Sequence, residues 1–305
     1  MTSTPDLDRP DWLASVPFLA AHVVALATPF LVPVEARWVA LAAALYAIRM
    51  FAITAGYHRY FSHRTFRTSR AFQLLLAVIG GTAAQRGALW WAAHHRDHHR
   101  DSDGPEDVHS PLRRGFLWSH VGWILSRRNH QTKLDRVKDL ARYPELRFLD
   151  RHHYLPPVAL SVALFLAGGW GALLWGFFVS TVVLWHATFS INSLAHVIGR
   201  RRYETGEGSR NSLVLALVTF GEGWHNNHHH YPASTRQGFF WFELDVTYLA
   251  LRALAAVRIV RDLRAPPPHV RVVAAPRGSA PRANAPAGAL PGPSYRNVAS
   301  AGGAG

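Results

Sequence analysis

The amino-acid sequence predicts an all-α membrane protein: four transmembrane helices in two hairpins, with the rest of the chain gathered on one side as a helical cap. Two observations carry this. No Asp, Glu, Lys or Arg occurs from Tyr154 to His196, a run long enough for two spans of about 20 residues each. Arginines crowd the segments that flank apolar runs: Arg59, Arg64, Arg67 and Arg70, then Arg127 and Arg128, then Arg200, Arg201 and Arg202. By the positive-inside rule those segments lie on the cytoplasmic face, and the nearly uncharged hairpin tips face the other side. The net charge of +14 therefore reads as membrane-surface charge, since a basic residue beside anionic headgroups gains roughly 1 kcal/mol. No aromatic-basic groove accompanies it, and nucleic acid is excluded as a partner.

Taken in order, residues 1–15 form a polar lead whose Asp6, Asp8 and Asp11 are unlike the basic start of a cleaved signal. A single domain over 16–264 follows. Its first two spans, about 16–34 and 38–56, are joined by the short Pro33–Arg37 segment. Residues 64–153 are cytoplasmic, and within them the apolar stretch Ala71–Trp91 reads as re-entrant or interfacial. The third and fourth spans, about 154–170 and 172–196, turn at Gly168–Gly169–Trp170–Gly171. Trp241–Arg264 reads as an amphipathic helix, with Leu244, Tyr248, Leu251 and Leu254 opposite Arg252, Arg258, Arg261 and Arg264. The tail, 265–305, is Pro-, Ala-, Gly- and Ser-rich without periodicity and is expected to be disordered.

The chemistry sits in four short clusters: His58 with His63; His95, His98 and His99; Asn192 with His196; and His225, His228 and His229. Imidazole is a ligand for zinc, copper, iron and nickel. Positions i, i+3 and i+4 share a helix face, so each H-x-x-H-H run is expected to point three nitrogens one way. The nine histidines suffice for two metal ions, divided as four and five, and Asn192 could hold a water in a remaining position. The absence of cysteine excludes disulfides, thiolate zinc sites and cysteine nucleophiles. Carboxylate-bridged bundles need a Glu-x-x-His repeat that does not occur. Asp97, Asp101 and Glu222 are expected to orient the imidazoles. His94 and His230 adjoin the clusters but lie off the ligand face. The isolated His22, His109, His120, His130, His152, His153, His186 and His269 read as hydrogen-bonded residues near the membrane interface.

With these residues in hand, the chain resembles the membrane fatty-acid desaturases, specifically their acyl-CoA (stearoyl-CoA-like) Δ9 branch. The resemblance covers roughly 40–240 and rests on the three histidine boxes in order. It extends to Ile53–Thr54–Ala55–Gly56, Ser119–His120–Val121–Gly122–Trp123, Asn192–Ser193–Leu194–Ala195–His196 and Gly221–Glu222–Gly223–Trp224. It implies a cap holding two iron ions and an O2-dependent enzyme that inserts a cis double bond, Δ9, into a saturated acyl-CoA. It also implies a bent substrate tunnel with Trp91, Gln85 and Thr188 at the bend. Tyr46 and Met50, 12 and 8 residues before His58 on one helical stripe, are expected to close its far end. Where vertebrate members carry Ala-Arg-Asp after the tryptophan, this chain has Ala92, Ala93 and His94, so two contacts that hold the CoA headgroup there are missing here. Arg127 and Arg128 stand at positions suited to phosphate contact. No haem domain is fused, so a separate electron donor, a ferredoxin with its reductase or similar, is expected, and the setting expected is a bacterial plasma membrane with the active site on the cytoplasmic face. Rival readings are an acyl-lipid desaturase or a fatty-acyl or alkane hydroxylase on the same scaffold and, more remotely, a metal transporter. A transporter would place its ligands near the middle of its spans rather than at one face.

Overall fold

The computed structural model describes residues 7–272, which are mostly helical with almost no sheet. Helix α1 (Trp12–Leu31) begins four residues before the expected span, because the Asp11 side chain accepts from the Ala14 N–H at 3.2 Å and caps it. Helix α2 (Ala36–Phe51) passes without a break into a π-helical segment, Ala52–Ser62. Helices α3 (Arg70–Gly81) and α4 (Ala88–Arg100) replace the single apolar stretch expected over 71–91. Between them the chain turns through left-handed Ala84 and Arg86, and α3, at 12 residues, is too short to cross a bilayer. A short α5 (Pro144–Arg151) precedes α6 (Leu155–Gly171), a second π-helical segment over Ala172–Val179, and α7 (Ser180–Ser193). The cap closes with α8 (Leu213–Val218), α9 (His225–His230) and α10 (Val246–Ala256).

Among the described residues, three helical stretches are long and apolar enough to cross a membrane: Trp12–Leu31, Ala36–Ser62 and Leu155–His196. Their outward side chains are apolar, with Leu13, Leu26, Phe30 and Leu166 each more than 70% exposed, a pattern suited to lipid and not to water. The 42 residues of the third stretch would be about 63 Å long if straight, roughly twice a hydrocarbon core. They are not straight. Gly168 (φ −151°, ψ 19°) and Gly169 (φ 61°, ψ −151°) leave the helical region, and the second of these conformations suits glycine alone. Gly171 also abuts Trp38, where a Cβ would meet the indole at 2.4 Å. Beyond the break, Gly176 meets Leu41 and Leu45, and buried Arg49 donates to Thr181 Oγ1 at 2.6 Å. Before the break, Pro156 packs on Gly81. The α1 helix packs against 172–179 more than against its sequence neighbour α2.

Two C-terminal expectations change. The amphipathic helix is shorter than 241–264: Asp245 accepts from the Tyr248 N–H and caps α10, and left-handed Arg258 follows its end. The chain then pairs Val260–Arg261 antiparallel with Arg67–Thr68. Of the expected tail, 265–272 is held on the cap, where Val270 O accepts from His230 and Arg271 O from Tyr203; residues 273–305 lie outside the described part of the chain.

Candidate metal centre

Nine imidazoles converge in two groups. His58, His63, His95, His99 and His228 form one, and His98, His196, His225 and His229 the other, with the ligand atoms of each group within 4.8 Å of one another. Neither H-x-x-H-H run points all three nitrogens one way. At 100° per residue the i+3 and i+4 positions flank position i on opposite sides, so α4 sends His95 and His99 to one group and His98 to the other. The α9 helix does the reverse, with His225 and His229 together and His228 apart. His58 and His63 come from the π-helical segment and its cap, a winding that recurs at functional sites. His94 and His230 belong to neither group.

The donors fit bound metal. Carboxylates hold the outer nitrogens: Asp107 accepts from His98 Nδ1 at 3.0 Å, Asp103 from His196 Nδ1 at 2.9 Å, and Glu222 contacts His58 Nδ1. Glu207 approaches His229 Nδ1 at 3.7 Å. With the proton fixed at Nδ1, the Nε2 lone pairs of these rings face inward. Neighbouring Nε2 atoms stand 2.8 Å apart for His63 and His95, 2.9 Å for His99 and His228, 3.0 Å for His58 and His228, and 3.1 Å for His196 and His225. Around an ion at about 2.1 Å, ligands at right angles stand about 3.0 Å apart and tetrahedral ones about 3.4 Å. These separations suit nitrogens that converge on a metal ion. His229 Nε2 is also buried without a hydrogen-bond partner.

The electrostatics agree. Burial, then the neighbouring imidazoles, push His63, His95, His99, His225, His228 and His229 well below the usual value. These rings are neutral at physiological pH and their lone pairs are available. Burial acts the same way on His98, but the adjacent Asp107 outweighs it and raises that group. Burial also opposes ionisation of Asp103, yet its bond to His196 and its other donors bring it down to about 2. Glu222 is held low by His58 and Arg59 despite burial.

Of the three carboxylates expected to orient imidazoles, Glu222 does so and the other two do not. Asp97 is taken by Lys133 (2.8 Å), Arg100 (2.6 Å) and Arg136 (2.9 Å), and Asp101 accepts from the Glu106 N–H. Asp97, one residue before His98, points off its face, and Asp101, three residues after it, is the C-cap of α4 and has left the helical conformation. Asp103 and Asp107 fill the role, reaching back from the Asp101–His109 turn, and only the density of acids after the second box hinted at them. Asn226 and Asn227, inside the third box, are fully buried. Asn226 accepts the N–H groups of Arg202 and Tyr203, both at 2.8 Å, and Asn227 donates to Gln237 O and Glu243. The isolated His22, His186 and His120 form a chain of ring contacts at 3.1 and 3.0 Å ending on Ser193 Oγ. His109 is buried against His98 and Trp123 rather than at an interface.

A cavity of about 560 Å³ runs up to the histidines and includes His95, Trp91 and Asn192 in its wall. Trp91 stacks on His95 with ring centres 4.9 Å apart, and Gln85 Nε2 donates to Thr188 Oγ1 at 2.8 Å across the same cavity. Tyr46 and Met50 lie outside its lining: Met50 is fully buried in the core, and Tyr46 donates to Val218 O. The wider i→i+5 winding of 52–62 turns fewer degrees per residue, so a stripe counted back from His58 at 3.6 residues per turn loses register. Arg127 and Arg128 face carboxylates, Asp11 at 3.5 Å and Asp8 at 3.0 Å.

Comparison with known proteins agrees with this geometry. The family model for fatty acid desaturases matches residues 36–263. The chain is similar to the sn-2 palmitoyl-lipid 9-desaturase of Nostoc sp. (strain 36), 34% identical over 85% of this chain and 92% of the relative. It is 37% identical to the sn-1 stearoyl-lipid 9-desaturase of Synechocystis sp. (strain ATCC 27184 / PCC 6803 / Kazusa), over 85% of this chain and 81% of that one. An icosanoyl-CoA 5-desaturase of Limnanthes douglasii is 34% identical over 83% of this chain and 72% of its own length.

Proposed function

The chain belongs to the fatty acid desaturase family, and on that premise we propose that it inserts a cis double bond, at Δ9, into a saturated long-chain acyl substrate. The observation that carries this reading is the junction of an apolar cavity with two clusters of imidazoles through Trp91 and His95. A methylene C–H has no acidic proton, so none of the cavity's side chains could act as a base on it. Two iron ions bound to the nine histidines would supply O2-dependent oxidation, with Asn192 placed to hold a water.

The residues of this chain do the rest. Trp185, Phe189, Trp123 and Ile124 wall the cavity and exclude water. All methylenes of a chain are chemically alike, so position must come from geometry. The Gln85–Thr188 bond and the Trp91 ring fix the cavity's course beside His95 and thereby set which carbons lie nearest the centre. The Gly168–Gly169 break supports four spans in two hairpins, with the histidine cap on the cytoplasmic side of a plasma membrane. Electrons come from a separate donor such as a ferredoxin with its reductase. The expected CoA thioester is one of two headgroup classes in play, because relatives of equal identity carry lipid and CoA names.

Expression in a host lacking desaturases, with double bonds in its acyl chains mapped by mass spectrometry, tests the reading. New cis-Δ9 chains and about two irons per purified chain are expected. Iron-loaded protein that leaves every acyl chain saturated in the presence of a competent donor refutes it.

A further inference from the structure

The cavity has a defined mouth. Its exposed lining residues, Ala14, Pro17, Tyr154 and Val158, all belong to the first turns of α1 and α6 or adjoin them. Those helices start two of the stretches suited to crossing a membrane. The surface outside the mouth is apolar, with Trp12 67%, Leu13 84% and Val16 54% exposed on one side and Leu155 40% on the other. Trp12 and Tyr154 on the two rims are residue types that settle at headgroup level. An acyl chain already in the bilayer can enter sideways between these helices without its methylenes crossing water.

The charge beside the mouth points the same way. Residues Leu7–Asp11 run as a strap along Leu125–Arg128: the Asp11 N–H donates to Leu125 O at 2.9 Å, the Arg128 N–H to Leu7 O at 3.1 Å, and Ser126 Oγ to Leu7 O at 2.9 Å. Ile124 and Leu125 are themselves cavity wall. The strap brings its carboxylates onto the arginines there, Asp8 onto Arg128 (3.0 Å) and Arg114 (3.2 Å), and Asp11 onto Arg127 (3.5 Å). A polyphosphate headgroup reaching for these cations would have to displace two carboxylates of its own sign. On the opposite rim, Arg151, three residues before Tyr154, is exposed, a cation that suits a phosphodiester.

We propose that the acidic strap Leu7–Asp11, closed over Arg114, Arg127 and Arg128 beside a mouth that opens between α1 and α6, commits this site to acyl chains esterified in bilayer glycerolipids and turns acyl-CoA away. Asp8 is then a specificity-determining residue. The proposal rests on the desaturase reading and concerns only the headgroup.

Membranes from an expressing host, which retain the electron donor, are given labelled distearoyl phosphatidylglycerol in vesicles or labelled stearoyl-CoA with acyl transfer blocked. Both pools are then analysed for the double bond. Label is expected to be desaturated in the lipid, with stearoyl-CoA used at least about fivefold more slowly. The Asp8→Asn variant frees two arginines and is expected to raise stearoyl-CoA use by about fivefold, the scale of one exposed charge pair, with the gain lost in high salt. Asp8→Glu keeps the charge and the wild-type ratio. Faster desaturation of stearoyl-CoA than of lipid by the wild-type chain overturns the proposal even if Asp8→Asn does not fold. An Asp8→Asn protein that folds with an unchanged ratio removes the strap's role. Absence of a double bond in both pools is a different result, and it sinks the desaturase reading itself.

Discussion

Asp107 gives a sharp test of how the second imidazole group is built. Its side chain is buried and each oxygen has two donors: Oδ1 takes His98 Nδ1 at 3.0 Å and the His109 N–H at 3.1 Å, while Oδ2 takes His98 Nδ1 at 3.1 Å and the Asp103 N–H at 2.8 Å. Asparagine has nearly the same shape but only one acceptor oxygen, so in either orientation its NH2 faces a backbone N–H. One buried donor is then left unpaired, at about 1–3 kcal/mol, and the charge-assisted bond that fixes the His98 tautomer is lost. A ligand whose outer partner is removed typically binds its metal about 10–100-fold more weakly, which is about 1.4–2.7 kcal/mol. Both routes give the same scale. On the proposed two-iron reading, Asp107→Asn should therefore lower iron content from about two towards one per chain by elemental analysis, because of the two imidazole groups His98 belongs to the four-histidine one. Desaturation should fall in step. Full iron content with unchanged turnover would refute the claim that Asp107 orients a ligand.

Three further outcomes follow from the same geometry. His228→Ala removes one of five ligands from the other group and should abolish desaturation while the protein still folds, checked by double-bond yield beside circular dichroism. Met50→Ala should lower the melting temperature, by the about 2–5 kcal/mol of a buried large-to-small change, and leave acyl chain length unaltered; a shift to longer products would place Met50 at the cavity after all. Metal-depleted protein should lose stability in mild acid. Six buried imidazoles stay neutral in the folded state where the unfolded chain takes up protons below about pH 6.5. Their contribution is fully present above that value and is lost as pH falls, so melting temperatures measured from pH 7.5 to 5.5 should drop, and a flat profile would contradict it.

The histidines were legible because helical spacing is local. So was the span pattern, because forty-three residues without a charge leave few options. The assignment of His98 away from His95 and His99 was open to the same arithmetic, since i+3 and i+4 straddle i. What escaped depends on winding and on turns. The π-helical stretch Ala52–Ser62 has no sequence signal in hydropathy, yet it decides where Tyr46 and Met50 point. Asp103 and Asp107 reach their imidazoles only because the turn after α4 folds back, a tertiary event that spacing along one helix cannot report. The pairing of Asp8 with Arg114 and Arg128 joins segments more than a hundred residues apart, and charge counting by segment treated the two sides separately.

The division of α9 between both groups has a consequence that separates it from Asp107. This helix is six residues long, far too short to persist by itself, and it carries His228 for one group and His225 with His229 for the other. Its position rests on Asn227, whose N–H donates to Asn211 Oδ1 at 3.1 Å and whose amide accepts from Asn211 Nδ2 at 2.7 Å and donates to Gln237 O at 3.0 Å and Glu243 Oε2 at 2.9 Å. Asn227→Ala would leave Asn211 Nδ2 and Gln237 O without partners, each at about 1–3 kcal/mol, and would leave Glu243 Oε2 with only the Phe240 N–H. Since one rigid turn presents ligands to both groups, releasing it should empty both together. Iron should fall from about two towards zero per chain, in contrast to the loss of one expected for Asp107→Asn. An Asn227→Ala protein that keeps one iron tightly would mean that α9 is held by its metal contacts and not by the asparagine.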